Sequence, residues 1–190
     1  MDGNIRENSR EKRKDGWFKR LFRNDDKRLK ILSELSNHVP GEVHWNFFGV
    51  TFKGTYKGVE FAASFWGADE GPDANPCLQV VIKKPSDFTM KAYSMRSFLI
   101  RAQVKLRLLK KVNTGDERFD AEVCAASKDP DRTMSYLAAR GVREALMGLF
   151  RKGYVSFEIS AKKISFIKYV CDLGDIKPKN VMWILENFCK

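Results

Sequence analysis

Several signals are missing from this sequence, and each absence narrows what the chain can be. No run of about 18 apolar residues occurs, so no transmembrane helix is expected. The charged N-terminus has no apolar core of the kind a secretory signal needs. Asp2 follows Met1 and the chain ends Asn187-Phe188-Cys189-Lys190, so neither a myristoylation nor a prenylation motif is present. Histidine is scarce: His38 and His44 stand alone, without a third ligand at a recognisable spacing, and no metal is expected. The four cysteines, Cys77, Cys124, Cys171 and Cys189, are widely spaced with no C-x-x-C pair. They read as free thiols in a reducing cytoplasm, not as a disulfide framework. There is no G-x-G-x-x-G, no phosphate loop and no G-x-S-x-G elbow, so no cofactor is expected and an enzyme is disfavoured. Acidic residues are also locally scarce. Residues 83–111 hold nine Lys/Arg against the single acid Asp87.

What is present is a folded composition. The 190 residues are 43% hydrophobic and 12% aromatic, with 14 Phe, enough to bury a core in one domain or at most two. The net charge is +11, which favours anionic partners such as lipid headgroups or nucleic acid. Residues 1–30 carry 11 Lys/Arg against 6 Asp/Glu, so nearly half of the excess lies in the first sixth of the chain. Residues 1–24 read as a basic N-terminal tail and residues 25–190 as a single α+β domain.

Periodicity supplies the elements. A helix over "DKRLKILSELSNHV" can align Leu29, Leu32, Leu35 and Val39 until Pro40-Gly41 ends it. "VHWNFFGVTFKGTYKGVEFAASFW" then reads as two strands broken by a turn at Tyr56-Lys57-Gly58, where Gly58 is free to take positive φ. "WGADEGPDANP" is a loop, and "CLQVVIKK" is a strand that points Leu78, Val80 and Ile82 inward. "SFLIRAQVKLRLLKK" alternates almost without fault, which predicts a strand with Phe98, Ile100, Ala102, Val104, Leu106 and Leu108 interior. Its wet face would carry Arg101, Lys105 and Arg107. A hairpin through "VNTGDE" would pair it with "RFDAEVCAA", placing Arg107 opposite Glu122 and leaving Cys124 on the polar parity.

"DPDRTMSYLAARGVREALMGLFRKG" is the clearest helix. Asp129 suits its cap, Pro130 its first turn and Gly153 its end; Gly141 in the apolar stripe suggests a close approach to the sheet. A second hairpin pairs Val155, Phe157 and Ile159 with Ile164 and Phe166 across the "AKK" turn. A short final helix aligns Val181, Ile184, Leu185 and Phe188. The expected order is α-β-β-β-β-β-α-β-β-α: a mainly antiparallel sheet of about five to seven strands with helices on one face.

A "G-x-Y-x-G" hairpin at Gly54, Tyr56 and Gly58, and a "G-D-x-x-F-D" turn at Gly115, Asp116, Phe119 and Asp120, resemble a loose group of uncharacterised bacterial domains. The likeness spans roughly residues 50–170. It implies the same α+β hairpin framework and no particular activity. Members of that group often stand beside a membrane-spanning segment, and no such segment occurs in this sequence.

Two clusters are candidate sites. The knot Trp17, Phe18, Lys19, Arg20, Leu21, Phe22 and Arg23 interleaves apolar anchors with cations, a composition suited to a membrane surface. Lys83, Arg101, Lys105 and Arg107 are candidate anion contacts on the sheet. The favoured expectation is a non-enzymatic binding or scaffold domain that associates with an anionic surface such as membrane headgroups, cytoplasmic or peripheral at the membrane. The alternatives are nucleic-acid binding through the basic face and an enzyme acting on a small anionic substrate; a homo-oligomer is left open. Base stacking would need aromatics among the outward residues, and the outward parity of residues 99–109 has none. The carboxylates Asp116, Glu117, Asp120 and Glu122 are better explained as turn and pairing residues than as an acid–base site.

Overall fold

A computed structural model describes residues 28–46, 49–66, 77–169 and 177–189. Its centre is one eight-stranded sheet in the order β1-β2-β3-β4-β8-β7-β5-β6, with every neighbouring pair antiparallel. The strands are β1 (Gly41–Asn46), β2 (Gly49–Tyr56), β3 (Val59–Trp66), β4 (Cys77–Ile82), β5 (Met90–Ser94), β6 (Val123–Ala126), β7 (Ser156–Ser160) and β8 (Lys163–Tyr169). Residues 28–33 are helical and run into a 3-10 turn (Glu34–Asn37), and beyond the first strands come α1 (Phe98–Lys105), α2 (Glu117–Glu122), α3 (Pro130–Ala138), α4 (Val142–Arg151) and α5 (Pro178–Phe188). The class is therefore α+β with an antiparallel sheet.

Register explains which side is dry. Phe52, Ala63, Val80, Phe166, Phe157, Ala92 and Ala125 are consecutive partners across seven strands, and all are buried. Successive strand side chains point to opposite faces, so the next row, Thr51, Ser64, Gln79, Ile167, Ser156 and Tyr93, lies on the other side and is only partly covered. Leu32 and Leu35 from the N-terminal helical turns, Leu137 of α3, Leu146 and Leu149 of α4, and Ile184 and Leu185 of α5 join the buried row in one core. Phe188 of α5 sits on Phe157 and Phe166, with ring centroids 5.5 and 4.9 Å away.

Many of the local expectations match. Lys57 and Gly58 both have positive φ (50° and 79°), the geometry that joins antiparallel strands through two residues. Asp129 caps α3 by accepting a hydrogen bond from the Arg132 amide, and Pro130 occupies its first turn. Phe157 faces Phe166 and Ile159 faces Ile164, and Leu78, Val80 and Ile82 are fully buried.

Other expectations are overturned. The segment from Phe98 to Leu108 is not a strand. Its first part is α1, and Phe98, Leu99, Leu106 and Leu108 are exposed, not interior. The strand of this region is β5, earlier in the chain, where Met90, Ala92 and Ser94 alternate inward. Glu117–Glu122 is helical, so Arg107 does not oppose Glu122, and Cys124, expected on an open face, is fully buried. The first β segment reverses on itself, Asn46 pairing with Gly49, which brings the strand count to eight. The long helix divides at Gly141, whose φ of 81° breaks it into α3 and α4. A Cβ at Gly141 would meet nothing within 4 Å. The close approach belongs instead to Gly148, where a Cβ would lie 3.1 Å from the Trp183 ring of α5.

Candidate functional site

β5 and β6 are adjacent antiparallel strands, closed by the pair Ser94 and Val123. A two-residue turn suffices to join such neighbours. Here the chain makes an excursion through residues 95–122 instead. Its second half serves the fold. Asp116 caps α2 by accepting from the Phe119 amide at 3.0 Å, and Phe119 is fully buried. Arg143 reaches Asp116 at 3.3 Å, and Arg151 grips Glu122 through both guanidinium arms, its Nε 2.9 Å from Oε2.

The first half is more exposed. Ser97 donates its amide to Ser94 at the end of β5, and α1 begins at Phe98. None of the eight α1 residues is buried. Phe98 is 74% exposed, Leu99 69%, Leu106 68% and Leu108 72%. At 100° per residue, Phe98, Leu99, Ala102 and Leu106 share one side of the helix, with Arg101 and Lys105 flanking Phe98. Arg101, Lys105, Arg107 and Lys110 are exposed, and none has a carboxylate partner among the described residues. No acid occurs between Phe88 and Gly115, while seven Lys/Arg do.

The end of α1 is unusual. The Leu108 amide donates to the Gln103 carbonyl and the Arg107 amide to that of Val104, the paired bonds of a Schellman cap. The left-handed residue of such a cap is normally Gly. Here it is Arg107, at φ 58°. A side-chain-bearing residue in that conformation costs roughly 1–2 kcal/mol.

Lys83 does not join this cluster. It follows β4 beyond Ile82, in the row that contains Met90, whereas α1 leaves from the opposite end of β5. Its ammonium lies 2.6 Å from Glu60, whose carboxyl is held below its ordinary range by that hydrogen bond. Arg101 and Lys105 lie on a helix instead of a sheet, and Arg107 stands just beyond its end. The Trp17–Arg23 knot lies outside the described residues.

Elsewhere, two carboxylates are held by arginine. The amide of Phe119, and then Arg143, keep the Asp116 carboxyl below the usual range, and Arg151 does the same for Glu122. Both are anions at neutral pH, unsuited to donating a proton. Burial pushes the thiols of Cys77, Cys124 and Cys189 up, which disfavours thiolates. His44 lies 3.8 Å from Glu42, and no group of three or more metal-ligating side chains forms among the described residues.

Comparison with protein-family models, curated proteins and solved structures gave no match. The exposed apolar and cationic arc of α1 is thus read on its own chemistry.

Proposed function

We propose that the protein is a binding domain that attaches peripherally to anionic lipid surfaces through α1. The observation that supports this reading is the coincidence of four exposed large apolar side chains with four cations that have no carboxylate partner among the described residues, on and just after one helix none of whose residues is fully buried. A short amphipathic helix of this kind lies in the headgroup plane, its apolar side in the acyl boundary and its cations on the phosphates. It does not cross: no helix among the described residues is long and apolar enough. Three of the four apolar groups are leucines, which offer a lipid interior what it takes up and offer a nucleic acid no stacking surface. By composition, the Trp17–Arg23 knot is a second anchor of the same type.

Sedimentation with phosphatidylcholine vesicles, with and without phosphatidylserine, tests the reading. Full transfer of a Phe or Leu side chain is worth about 1.5–3 kcal/mol. Phe98 and Leu106 are already folded with about two-thirds or more of their surface in water, so each stands to contribute roughly 1–2 kcal/mol on insertion. Phe98→Asp with Leu106→Asp should therefore weaken partitioning at least about thirtyfold with thermal stability retained. Absence of pelleting with either vesicle overturns the reading. So does salt-sensitive capture by an oligonucleotide without vesicle binding, or dimerisation lost in the same double variant.

A further inference from the structure

Away from α1, at the Met90 end of the sheet, lies a partly open cavity of about 790 Å³. Its floor is Ile159 and Ile164, directly paired across β7 and β8. Val142 and Ala145 of α4 form one wall with Phe188 of α5, and Phe88 and Tyr136, ring centroids 5.4 Å apart, form the other. That volume and apolar lining match a pocket for one small ligand. The mouth is polar. Arg140 and Lys84 stand there with Ser86 and Asp87. Asp87 is already engaged by Arg132 at 2.9 Å, while Arg140 is exposed and has no carboxylate partner among the described residues. Gly141, between Arg140 and α4, also lines the opening, so the positive end of α4 faces the same space. Burial pushes the Tyr136 phenol up to about 12, which leaves it a neutral hydrogen-bond donor at the pocket wall.

We infer that this cavity binds a single-chain amphipathic carboxylate, the alkyl chain between α4, α5 and the sheet and the carboxylate against the Arg140 guanidinium. A guanidinium recognises a planar carboxylate through two parallel hydrogen bonds, and the apolar lining takes the chain. The site is separate from α1 and does not depend on the lipid-surface reading.

Titration calorimetry of the whole chain with octanoate, decanoate and dodecanoate, and with dodecanol, tests it. Affinity should rise about fourfold per added methylene along the carboxylate series, as each buried methylene contributes. Arg140→Gln should weaken dodecanoate about tenfold or more and leave dodecanol unchanged. Ala145→Trp should abolish binding of both; Val142→Phe, a smaller intrusion, serves if that variant does not fold. The Phe98→Asp, Leu106→Asp protein should bind dodecanoate as the parent does. Absence of heat with every ligand, equal binding of dodecanoate by Arg140→Gln, or loss of dodecanoate binding in the α1 variant overturns the assignment.

Discussion

Arg107 invites a substitution whose two effects run in opposite directions. It occupies the left-handed position of the α1 cap at φ 58°, where Gly is preferred. Arg107→Gly removes a conformational cost of about 1–2 kcal/mol from the folded state. Part of that gain is returned, because Gly gives the unfolded chain more freedom, roughly 0.5–1 kcal/mol. A net stabilisation of about 0.5–1 kcal/mol remains, equal to a rise of roughly 1–4 °C in Tm for a chain of this size. The Schellman bonds of Leu108 and Arg107 to Gln103 and Val104 are backbone bonds and survive the change. The same substitution removes one cation from the proposed lipid-facing arc, worth about 1 kcal/mol or roughly fivefold in partitioning onto anionic vesicles. Arg107→Lys should keep the binding and the strain. Thermal denaturation and vesicle sedimentation on the three proteins read both quantities. A lower Tm for Arg107→Gly refutes the backbone argument. A higher Tm with unchanged binding refutes the placement of this side chain at the lipid.

Three other outcomes follow from the same structure. Gly141→Ala places a Cβ in open space but at φ 81°, so its backbone cost of about 1–2 kcal/mol, less the roughly 0.5–1 kcal/mol gained by restricting the unfolded chain, should leave a net loss of about 0.5–1 kcal/mol; a raised chemical-denaturation midpoint contradicts the division of α3 from α4. Tyr154 is fully buried and its hydroxyl has no hydrogen-bond partner among the described residues, so Tyr154→Phe should be neutral or stabilising by up to about 1 kcal/mol, and a loss larger than that would reveal a partner. The carboxyl of Asp116 is held below its ordinary value near 3.8, first by the Phe119 amide and then by Arg143. A depressed folded value means stability that is fully present above the ordinary value and lost as pH falls through the folded one. The urea-midpoint advantage of the parent over Asp116→Asn should accordingly hold at neutral pH and close progressively below about pH 4; a gap that stays constant into strong acid removes this ion pair from the account.

The sequence conveyed burial well wherever one face of an element was dry. Phe157, Phe166, Val181 and Phe188 each stand where the 2.0 and 3.6 periodicities put them. It misled where nothing is buried. Even-numbered apolar residues from Phe98 to Leu108 look like one strand face, but on a helix the same parity splits into two rows four residues apart, Phe98-Ala102-Leu106 and Ile100-Val104. Without a core to choose between them, propensity decides, and this segment is mostly Leu, Ala, Gln, Arg and Lys, with only Ile100 and Val104 β-branched. A second signal was present at Asp116, a capping residue followed by Glu117 and Asp120 in a first turn. Arg140 gave no signal, because it reaches the cavity mouth only through the Gly141 bend between two helices.

Residues 95–122 combine a structurally anchored half and an exposed half within one connection. Topology does not require the excursion, since β5 and β6 are neighbours. α2 nevertheless has structural reasons to exist: a buried Phe119, a capped N-terminus and two arginine-bound carboxylates. Each of those is absent from α1, which has no side-chain cap, no buried residue and no ion pair among the described residues. Exposed Phe and Leu contribute nothing to stability in water and raise the risk of aggregation, and a left-handed Arg adds a cost of its own. A connection between adjacent strands that combines these burdens is not explained by the folded monomer alone. The proposed attachment to an anionic bilayer would account for it, since such a surface takes apolar groups and cations together.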